Sequence, residues 1–413
     1  MTAFTKRTIR DVDPSGKKVL LRVDFNVPLK DAAVGPSGRE GTVADDTRIR
    51  AALPTIAALR DRGAALALCS HLGRPNGRDA KLSLAPVARR LAELLGVAVP
   101  LLPDCVGAEV RAAVAKLRPG DVVLLENVRF HAEEERNDAT FAKELAAGFD
   151  LYVNDAFGAA HRAHASTEGV AHVLPAYAGL LLERELSALG GILTDPKHPF
   201  LAIIGGAKVS SKIDVLRALI PKVDALAVGG GMANTFLLAA GRRVGTSLVE
   251  ADRKDEAARI VKDLEAARKR LLLPVDVLCA PGIDAAGAAR AMTFDVDKVP
   301  DAMAIVDVGP RTVALYREVI RDARTIFWNG PVGVFEIDAF ANGTRQVAQL
   351  IANNPLATTI VGGGESVQAV TEAGLADKMT HVSTGGGASL ELIEGKTLPG
   401  VAAIPDARVK ART

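Results

Sequence analysis

The sequence predicts an α/β protein built from two Rossmann-like lobes, each a doubly wound parallel sheet. The chain has 413 residues, more than one ordinary hydrophobic core accommodates, so two lobes are expected. Hydrophobic residues make up 48% of it but aromatic residues only 4%, which indicates an aliphatic core. Strand-like and helix-like segments alternate in both halves, and this alternation is typical of parallel strands buried between helices.

In the N-terminal half, apolar runs alternate with amphipathic segments. The predicted strands are 18–28, 64–75, 122–131 and 150–158. The predicted helices are 48–63, 85–96 and 138–148, where apolar residues recur at helical spacing. The polar stretch 29–46 is rich in Gly and Pro and is expected to be a mobile loop.

The C-terminal half repeats this scheme. Its predicted strands are 200–206, 225–231, 275–282, 302–310, 325–331 and 358–364, and 256–271 is a predicted helix. The amphipathic stretch 174–194 has a period of about 3.6 residues, so we expect a helix that joins the two lobes.

Composition excludes several classes of protein. The formal net charge is +2, so bulk charge does not favour nucleic-acid binding. The N-terminus lacks the apolar core of a signal peptide, and charged residues interrupt the most apolar stretch too often for a membrane span. The three cysteines are far apart and show no paired spacing, which is typical of reduced thiols. We therefore expect a cytoplasmic protein with no nucleic-acid or membrane partner.

Charged and polar residues, rather than glycines, follow the predicted strands of the first lobe. They are Arg22, Asp24, Asn26, Arg48, Ser70, His71, Arg74, Glu126, Asn127, Arg129, Asn154, Asp155, His161, Arg162 and His164. Each arginine alone is more simply a solvated surface residue. Five arginines at one sheet edge repel one another unless an anion lies among them, and arginine binds phosphate or carboxylate bidentately. The pattern predicts a site for a small phosphorylated acid.

Glycines follow the strands of the second lobe instead. Four stretches share an apolar run, glycines and a helix-like start: "AIIGGAKVSSKI" (202–213), "LAVGGGMANTF" (226–236), "TTIVGGGESVQAV" (358–370) and "HVSTGGGASLEL" (381–392). A tight turn without a ligand is the simpler interpretation for several of them. Lys208 and Lys212, predicted to share one helical face, favour phosphate binding at the first stretch.

Known short fingerprints are absent. The sequence contains neither G-x-x-x-x-G-K-[ST] nor G-x-G-x-x-G, and "GGESVQ" lacks the final glycine of a nucleophile elbow. His161 and His164 are three residues apart, but one such pair is weak support for a metal site.

Longer motifs resemble one known family. "RVDFNVP", "SHLGRP", "LENVRFH", "NDAFGAAHRAHAS", "GGAKVSSKI", "GGGMANTF", "WNGPVGVFE", "VGGGES" and "STGGGASLELIEGKTLPG" look like those of phosphoglycerate kinases, in the same order and across nearly the whole chain. The resemblance implies reversible phosphoryl transfer between 1,3-bisphosphoglycerate and ADP, giving 3-phosphoglycerate and ATP, with Mg²⁺. It implies a 3-phosphoglycerate-binding lobe at 1–175, a hinge at 176–194 and a nucleotide-binding lobe at 195–396. The tail 397–413 would return to the first lobe, and the family is usually monomeric.

The resemblance also assigns residues of the first lobe. Asp24, Phe25 and Asn26 would bind the hydroxyl and carboxylate region of the glycerate, and Arg48 would be the catalytic arginine. The remaining substrate-binding side chains would hold phosphate and carboxylate; they are His71, Arg74, Arg129 and Arg162.

In the second lobe, Lys208 would lie beside the migrating phosphoryl group and Lys212 beside the nucleotide phosphates. Asn329 would lie near the phosphoryl path and Glu336 near the ribose. The nucleotide phosphates and the metal would be held by Gly363, Gly364, Glu365 and Ser366.

Two features depart from the family pattern. Glu365 stands where the family usually has Asp, so its Mg²⁺ contact could be direct, shifted or through water. The loop 29–46 is longer than usual and precedes Arg48. Two other functions fit two lobes with an anion site: an oxidoreductase or glycosyltransferase, and a solute-binding protein without activity. The missing G-x-G-x-x-G weakens the first, and the glycine-flanked lysines weaken the second.

Overall fold

The computed structural model describes residues 5–30, 34–35, 38–39 and 41–407. These residues form two compact units, which divide between Ser187 and Ala188; residues 397–407 belong to the first unit. Each unit has a parallel sheet covered by helices, which confirms the predicted α/β fold class. Among the helices in these ranges, none is long and apolar enough to cross a bilayer.

Within the described residues, the first unit contains nine strands, and α6 (Leu180–Thr194) begins in it and continues into the second unit. The strands are β1 (Lys18–Arg22), β2 (Leu29–Lys30), β3 (Val34–Gly35), β4 (Gly38–Arg39), β5 (Thr42–Val43), β6 (Ala65–Cys69), β7 (Val122–Leu124), β8 (Leu151–Asn154) and β9 (Ala176–Ala178). The helices are α1 (Thr47–Asp61), α2 (Ala85–Leu95), α3 (Ala108–Ala115), α4 (Ala132–Glu135), α5 (Ala139–Ala146) and α6 (Leu180–Thr194).

The main sheet of this unit has the order β7-β6-β1-β8-β9, and all its pairs are parallel. Every residue of β6 and β8 is buried, because helices cover both faces of the sheet. In chain order the strands read 3-2-1-4-5, so the order reverses between β1 and β8. Ligands of open parallel sheets bind outside the carboxyl ends of the strands at such a switch point.

The second unit contains the remaining strands and helices apart from the last helix. The strands are β10 (Phe200–Ile204), β11 (Ala225–Val228), β12 (Arg270–Leu272), β13 (Asp276–Ala280), β14 (Met292–Asp295), β15 (Ala304–Val308), β16 (Thr325–Asn329), β17 (Thr358–Gly362) and β18 (His381–Val382). The helices are α7 (Ile213–Leu219), α8 (Gly230–Ala239), α9 (Lys254–Ala266), α10 (Ala285–Ala288), α11 (Pro310–Asp322), α12 (Asn342–Ala352), α13 (Gly364–Glu372) and α14 (Gly387–Ile393). The last helix, α15 (Pro399–Ala402), lies in the tail.

The main sheet here has the order β12-β11-β10-β16-β17-β18, again wholly parallel. It reads 3-2-1-4-5-6 in chain order, and its switch point lies between β10 and β16. Strands β13, β14 and β15 form a separate antiparallel sheet, inserted in the chain between the third and fourth parallel strands.

Several local predictions were wrong. The segments 275–282 and 302–310 do contain strands, but these belong to the antiparallel sheet. The predicted helix 174–194 begins at Leu180, and β9 precedes it. Helix α3 was not predicted. Of the predicted loop 29–46, residues 31–33, 36–37 and 40 lie outside the described residues, and the rest includes two short antiparallel strand pairs, β2 with β5 and β3 with β4.

The tail packs within the first unit. The side-chain amide of Asn154, at the end of β8, donates to the carbonyl of Gly400 at 3.1 Å. Lys6 and Asp406 form an antiparallel bridge and a salt bridge of 3.0 Å. Residues 408–413 of the predicted tail lie outside the described residues.

Candidate active site

A buried arginine sits under the strand ends of the first unit. Arg22, the last residue of β1, is 1% exposed. Its Nε donates to Ser166 Oγ at 2.8 Å, one Nη donates to the Val23 carbonyl, and Nη2 lies 3.1 Å from His71 Nδ1. Ser166 in turn donates to Glu134 at 2.6 Å, and Glu134 is fully buried. The guanidinium is therefore bonded to the protein itself.

His71 is neutral at this site. Burial lowers the pKa of His71 well below its usual value, and the nearby charges of Arg22, Arg129, Arg48 and Arg162 act in the same direction. Because Arg22 can only donate, Nδ1 is the accepting nitrogen and the ring proton lies on Nε2. His71 can thus donate a hydrogen bond to an anion without adding charge.

The residues after β1 orient one another. Asp24 accepts a hydrogen bond of 2.7 Å from Arg48, which lies in the first turn of α1. Asn26 accepts from the backbone N–H of Gly73 at 2.9 Å, which ties the end of β1 to the loop after β6. The side chain of Phe25 is fully buried in the core, and its backbone is bonded to the protein: its N–H donates to Ser70 Oγ and its carbonyl accepts from the Val27 N–H, both at 2.8 Å.

The other predicted arginines differ in exposure. Arg129 is 6% exposed, donates to the Gly73 carbonyl at 2.8 Å and lies 3.1 Å from Glu135. Arg162 is half-buried and contacts His161, whereas Arg74 is exposed on the loop after β6. The fields of Arg48, Arg129 and Arg162 all reach His71, so these three side chains belong to one positive cluster.

The switch point of the second unit holds a lysine. Lys212 Nζ donates to the carbonyls of Gly205 and Asn329, at 2.6 and 3.2 Å, and these residues follow β10 and end β16. Burial lowers the pKa of Lys212 to about 8, and the charge of Glu365 partly opposes this shift. The two carbonyls and the charge of Glu365 do not fully offset the loss of water around the Lys212 ammonium, so its positive charge is only partly compensated.

Glycines line the space around Lys212 because side chains would fill it. Gly330 has φ +94°, and a Cβ there would come within 2.5 Å of Lys212 Nζ. A Cβ on Gly205 would come within 2.1 Å of the Pro331 carbonyl. These two positions require glycine on steric grounds, and the glycines of the predicted cradle at 205–206 do lie at the switch point.

Helix α13 begins beside the same lysine. Its N-cap is Gly363 with φ +86°, and no side chain among the described residues caps it. Ser366 Oγ accepts from the Gly330 N–H at 2.5 Å, which joins the helix to the end of β16. Asn329 Nδ2 is buried and has no hydrogen-bond partner in the described part of the chain. Free backbone N–H groups and an unpaired amide donor suit an anion with several oxygens.

Lys208 is not on a helical face with Lys212, so that prediction was wrong. Helix α7 begins at Ile213, and Lys212 is its N-cap; the residues from Gly205 to Lys212 form turns. Ser210, between the two lysines, is bonded to Glu250 through its N–H and hydroxyl. Lys208 itself is exposed, and its charge is among the causes that lower the pKa of Glu250.

A cavity of about 240 Å³ lies in the second unit, and its lining includes Gly206, Gly230, Glu336 and Glu365. Sequence reasoning identified the glycines and Glu336 but missed the apolar part of the lining, which includes Leu248 and Ile283. These two side chains are 56% and 55% exposed, although both are large and aliphatic. Leu248 and Ile283 are far apart in the sequence and each lies among mostly polar or small residues, so no pattern predicted an apolar surface there.

Comparisons with known proteins agree with this arrangement. A family model described as phosphoglycerate kinase matches residues 9–396. A phosphoglycerate kinase of Pelotomaculum thermopropionicum is 54% identical over 404 residues, covering 98% of this chain and 100% of the relative. One of Chloroflexus aurantiacus is 56% identical over 409 residues, with the same two coverages.

Solved structures give the same result. A phosphoglycerate kinase from Coxiella burnetii has a TM-score of 0.85 at 42% identity, covering 97% of this chain and 98% of the other. One from Pyrococcus horikoshii has a TM-score of 0.84 at 33% identity, covering 96% and 98%.

Proposed function

The chain belongs to the phosphoglycerate kinase family, and from this premise we propose how its residues divide the work of the reaction. The activity is reversible phosphoryl transfer between 1,3-bisphosphoglycerate with ADP and 3-phosphoglycerate with ATP, a step of glycolysis. The observation that carries the division of work is that one unit presents arginines and a neutral histidine, while the other presents glycines and a partly compensated lysine. We further propose a cytoplasmic, monomeric enzyme.

The first unit would bind the acid. 3-Phosphoglycerate carries a phosphate and a carboxylate, and the side chains of Arg129, Arg162 and Arg74 suit these groups. His71 would donate from Nε2, and Asn26 and Asp24 would hold the hydroxyl region. Arg48 is held at 2.7 Å by Asp24, which would keep its guanidinium aimed at the reacting end of the acid.

The second unit fits a nucleotide. The unpaired Nδ2 of Asn329 and the open start of α13 offer donors that a phosphate chain would satisfy. Lys212 would hold the phosphates, and Gly363 and Gly364 would offer backbone N–H groups to them. Ser366 would fix the start of α13 through its hydrogen bond to the Gly330 N–H. The cavity next to them would take the base and ribose, with Glu336 at the ribose and Leu248 and Ile283 against the base.

The residues present also fit Mg²⁺. This ion keeps several waters and needs one or two carboxylates besides substrate phosphates. Glu365 is exposed in the first turn of α13 and close enough to Lys212 to shift its pKa. We propose that Glu365 holds the ion, which when bound neutralises phosphate oxygens. Glu365→Gln should then raise the Mg²⁺ concentration for half-maximal rate, and Glu365→Asp should not; equal curves for the two variants would contradict the role.

Phosphoryl transfer needs positioning and positive charge rather than covalent work by the protein. The attacking carboxylate is already ionised near neutral pH, so no general base is required. Arg48 from the acid-binding unit and Lys208 from the nucleotide-binding unit would flank the transferring group. Preorganised donors of this kind are typically worth about 10²–10³ in kcat each.

Two ligands held on separate units must come together while water is kept out. We propose that the units close on both ligands, with the hinge within 176–194, where the division between the units falls. Small-angle scattering should give a smaller radius of gyration with 3-phosphoglycerate and a non-hydrolysable ATP analogue than with either alone. An unchanged radius would contradict closure.

A coupled assay with ATP and 3-phosphoglycerate tests the activity and the roles together. We expect turnover in the wild type, and about a 10²–10³-fold lower kcat in Arg48→Ala and in Lys208→Ala with little change in KM. Arg50→Ala on α1 and Lys262→Ala on α9 remove exposed charges and serve as controls. Near-normal kcat in both test variants would overturn the assignment of these residues.

A further inference from the structure

A cluster of three potential metal ligands lies in the first unit outside the proposed active site. It consists of Asp104, Cys105 and His131, whose ligand atoms all lie within 4.8 Å of one another. Among the described residues, no other group of three His, Cys, Asp or Glu side chains meets this condition. The mechanism proposed above uses none of the three.

Two separate segments hold these side chains in place. Asp104 and Cys105 lie in the loop before α3, where the Glu126 N–H donates to the Asp104 carbonyl at 3.4 Å. His131 lies between the short helical turn Val128–Phe130 and α4, and its ring packs 5.2 Å from that of Phe141. Both segments are held beside the end of β7, so the three side chains are already close together before any metal binds.

The burial of the three side chains gives the cluster an inner and an outer side. Cys105 is 1% exposed, whereas the side chains of Asp104 and His131 are 34% and 29% exposed. His131 Nε2 lies 2.7 Å from Asp104 Oδ1. A sulfur donor at the base with nitrogen and oxygen donors at the rim leaves a fourth position that faces solvent.

We propose that Asp104, Cys105 and His131 form a zinc-binding site with water as the fourth ligand. Zinc prefers four ligands drawn from thiolate, imidazole and carboxylate, and the thiolate disfavours Mg²⁺ and Ca²⁺, which require oxygen. The site is therefore distinct in chemistry from the Mg²⁺ site proposed at Glu365. Coordination needs the thiolate, so binding of the metal releases the thiol proton to solvent.

The Asp104 carboxylate also has partners within the protein, and these offer an explanation of the cluster that needs no metal. Without metal, His131 and the Cys105 N–H both bond to Asp104, and Arg78 lies 3.7 Å from its other oxygen. In the absence of metal, these contacts make the three residues a hydrogen-bonded network around the Asp104 carboxylate. Two other His–carboxylate pairs, His198–Asp224 and His172–Glu168, have contacts of the same kind but no thiol. They provide matched controls for the contribution of the cysteine.

Cobalt spectroscopy on the untagged full-length enzyme tests the proposal without measuring activity. After treatment with EDTA under reducing conditions, Co²⁺ should produce a thiolate-to-metal charge-transfer band that saturates at one ion per chain, and Zn²⁺ should abolish it. Absence of the band would overturn the proposal.

Variants locate the site. Cys105→Ser should remove the band, and His131→Gln should weaken Zn²⁺ binding at least about 10–100-fold in competition with a fluorescent zinc chelator. His131 lies near the surface, so its variant remains informative if Cys105→Ser does not fold. Cys279→Ser and His198→Gln should match the wild type. A band that persists in Cys105→Ser, or zinc affinity unchanged in His131→Gln, would refute the site.

Discussion

The two main sheets share the strand order 3-2-1-4-5, to which the second unit adds a sixth strand, but the residues at their switch points differ. In the first unit, the residues at the end of β8 bond to the chain itself: Asn154 donates to the Gly400 carbonyl, and Asp155 Oδ1 accepts from the N–H groups of Leu181 and Leu182. In the second unit, the residues at the end of β16 leave Asn329 Nδ2 without a partner among the described residues. Both units have a switch point, but the residues at the end of the fourth strand differ: those of β8 bond to the chain, and those of β16 leave a donor free for a ligand.

The buried cations at the two points show the same contrast. Arg22 is matched by Glu134, which is fully buried and joined to it through Ser166. Burial raises the pKa of Glu134, and the charge of Arg22 opposes that shift. Lys212 faces two carbonyls and the field of Glu365. We infer that Arg22 serves stability and Lys212 serves the ligand, and the three predictions below test this difference.

The largest effect is expected from Arg22→Met. It removes the compensating charge from Glu134 and leaves Ser166 and His71 without a donor, and breaking such a buried pair typically costs about 3–5 kcal/mol. The urea midpoint of the circular dichroism signal should therefore fall. Trp328 is the only tryptophan in the sequence and lies in the second unit, so its fluorescence reports on that unit separately.

Arg50→Met is the control for Arg22→Met. Arg50 forms an exposed pair with Asp46 at i,i+4, and such pairs are worth roughly 0.3–0.5 kcal/mol. Equal urea midpoints for Arg22→Met and Arg50→Met would show that Arg22 stabilises the fold no more than an exposed arginine does.

Lys212→Met should act on turnover instead. Removing one preorganised donor at a developing charge typically lowers kcat by about 10²–10³-fold, and we expect that loss here. Burial already destabilises the charged form of Lys212 in the folded protein, so its removal costs little stability. The urea midpoint of Lys212→Met should therefore change much less than that of Arg22→Met. Steady-state kinetics with ATP and 3-phosphoglycerate and a urea titration give both numbers. A stability loss as large as that of Arg22→Met, together with an unchanged kcat, would show that Lys212 serves stability and not the ligand.

Much of this arrangement follows from sequence patterns, and the exceptions have physical causes. Runs of buried aliphatic residues predicted β6, β10 and β17, because strands covered on both faces need no polar alternation. The same runs do not encode which strand pairs with which, so β13 and β15 were assigned to the parallel sheet. β9 was missed because three residues are too few to show a period.

The site was predictable in part for a similar reason. Charges and glycines after strands identified the two strand edges, since parallel strands end at one edge of a sheet. The pattern does not reveal that Arg22 and Phe25 point into the protein. Nor does it show that "GGAKVSSK" remains a turn until Lys212, because the turn is held by Glu250 from a distant segment.

The smallest effect is a pH dependence that belongs to Lys212 alone. Its pKa falls from the ordinary 10.5 to about 8 in the folded protein because of burial. Between these values the unfolded chain binds more protons than the folded one, so this group makes stability rise with pH. Below pH 8 the penalty is present in full, and it declines as the pH approaches 10.5. Relative to Lys212→Met, the wild type should gain about 1 kcal/mol in free energy of unfolding between pH 7 and pH 9.

Urea titrations followed by Trp328 fluorescence at the two pH values provide the measurement, and taking the difference between variants cancels the titration of all other groups. Lys262→Met, which removes an exposed ammonium, should show no such change. The titrations are done without nucleotide, because a bound phosphate chain would stabilise the ammonium and raise its pKa. A difference that stays constant with pH would mean that Lys212 is fully compensated by the protein, and the contrast with Arg22 would then fail.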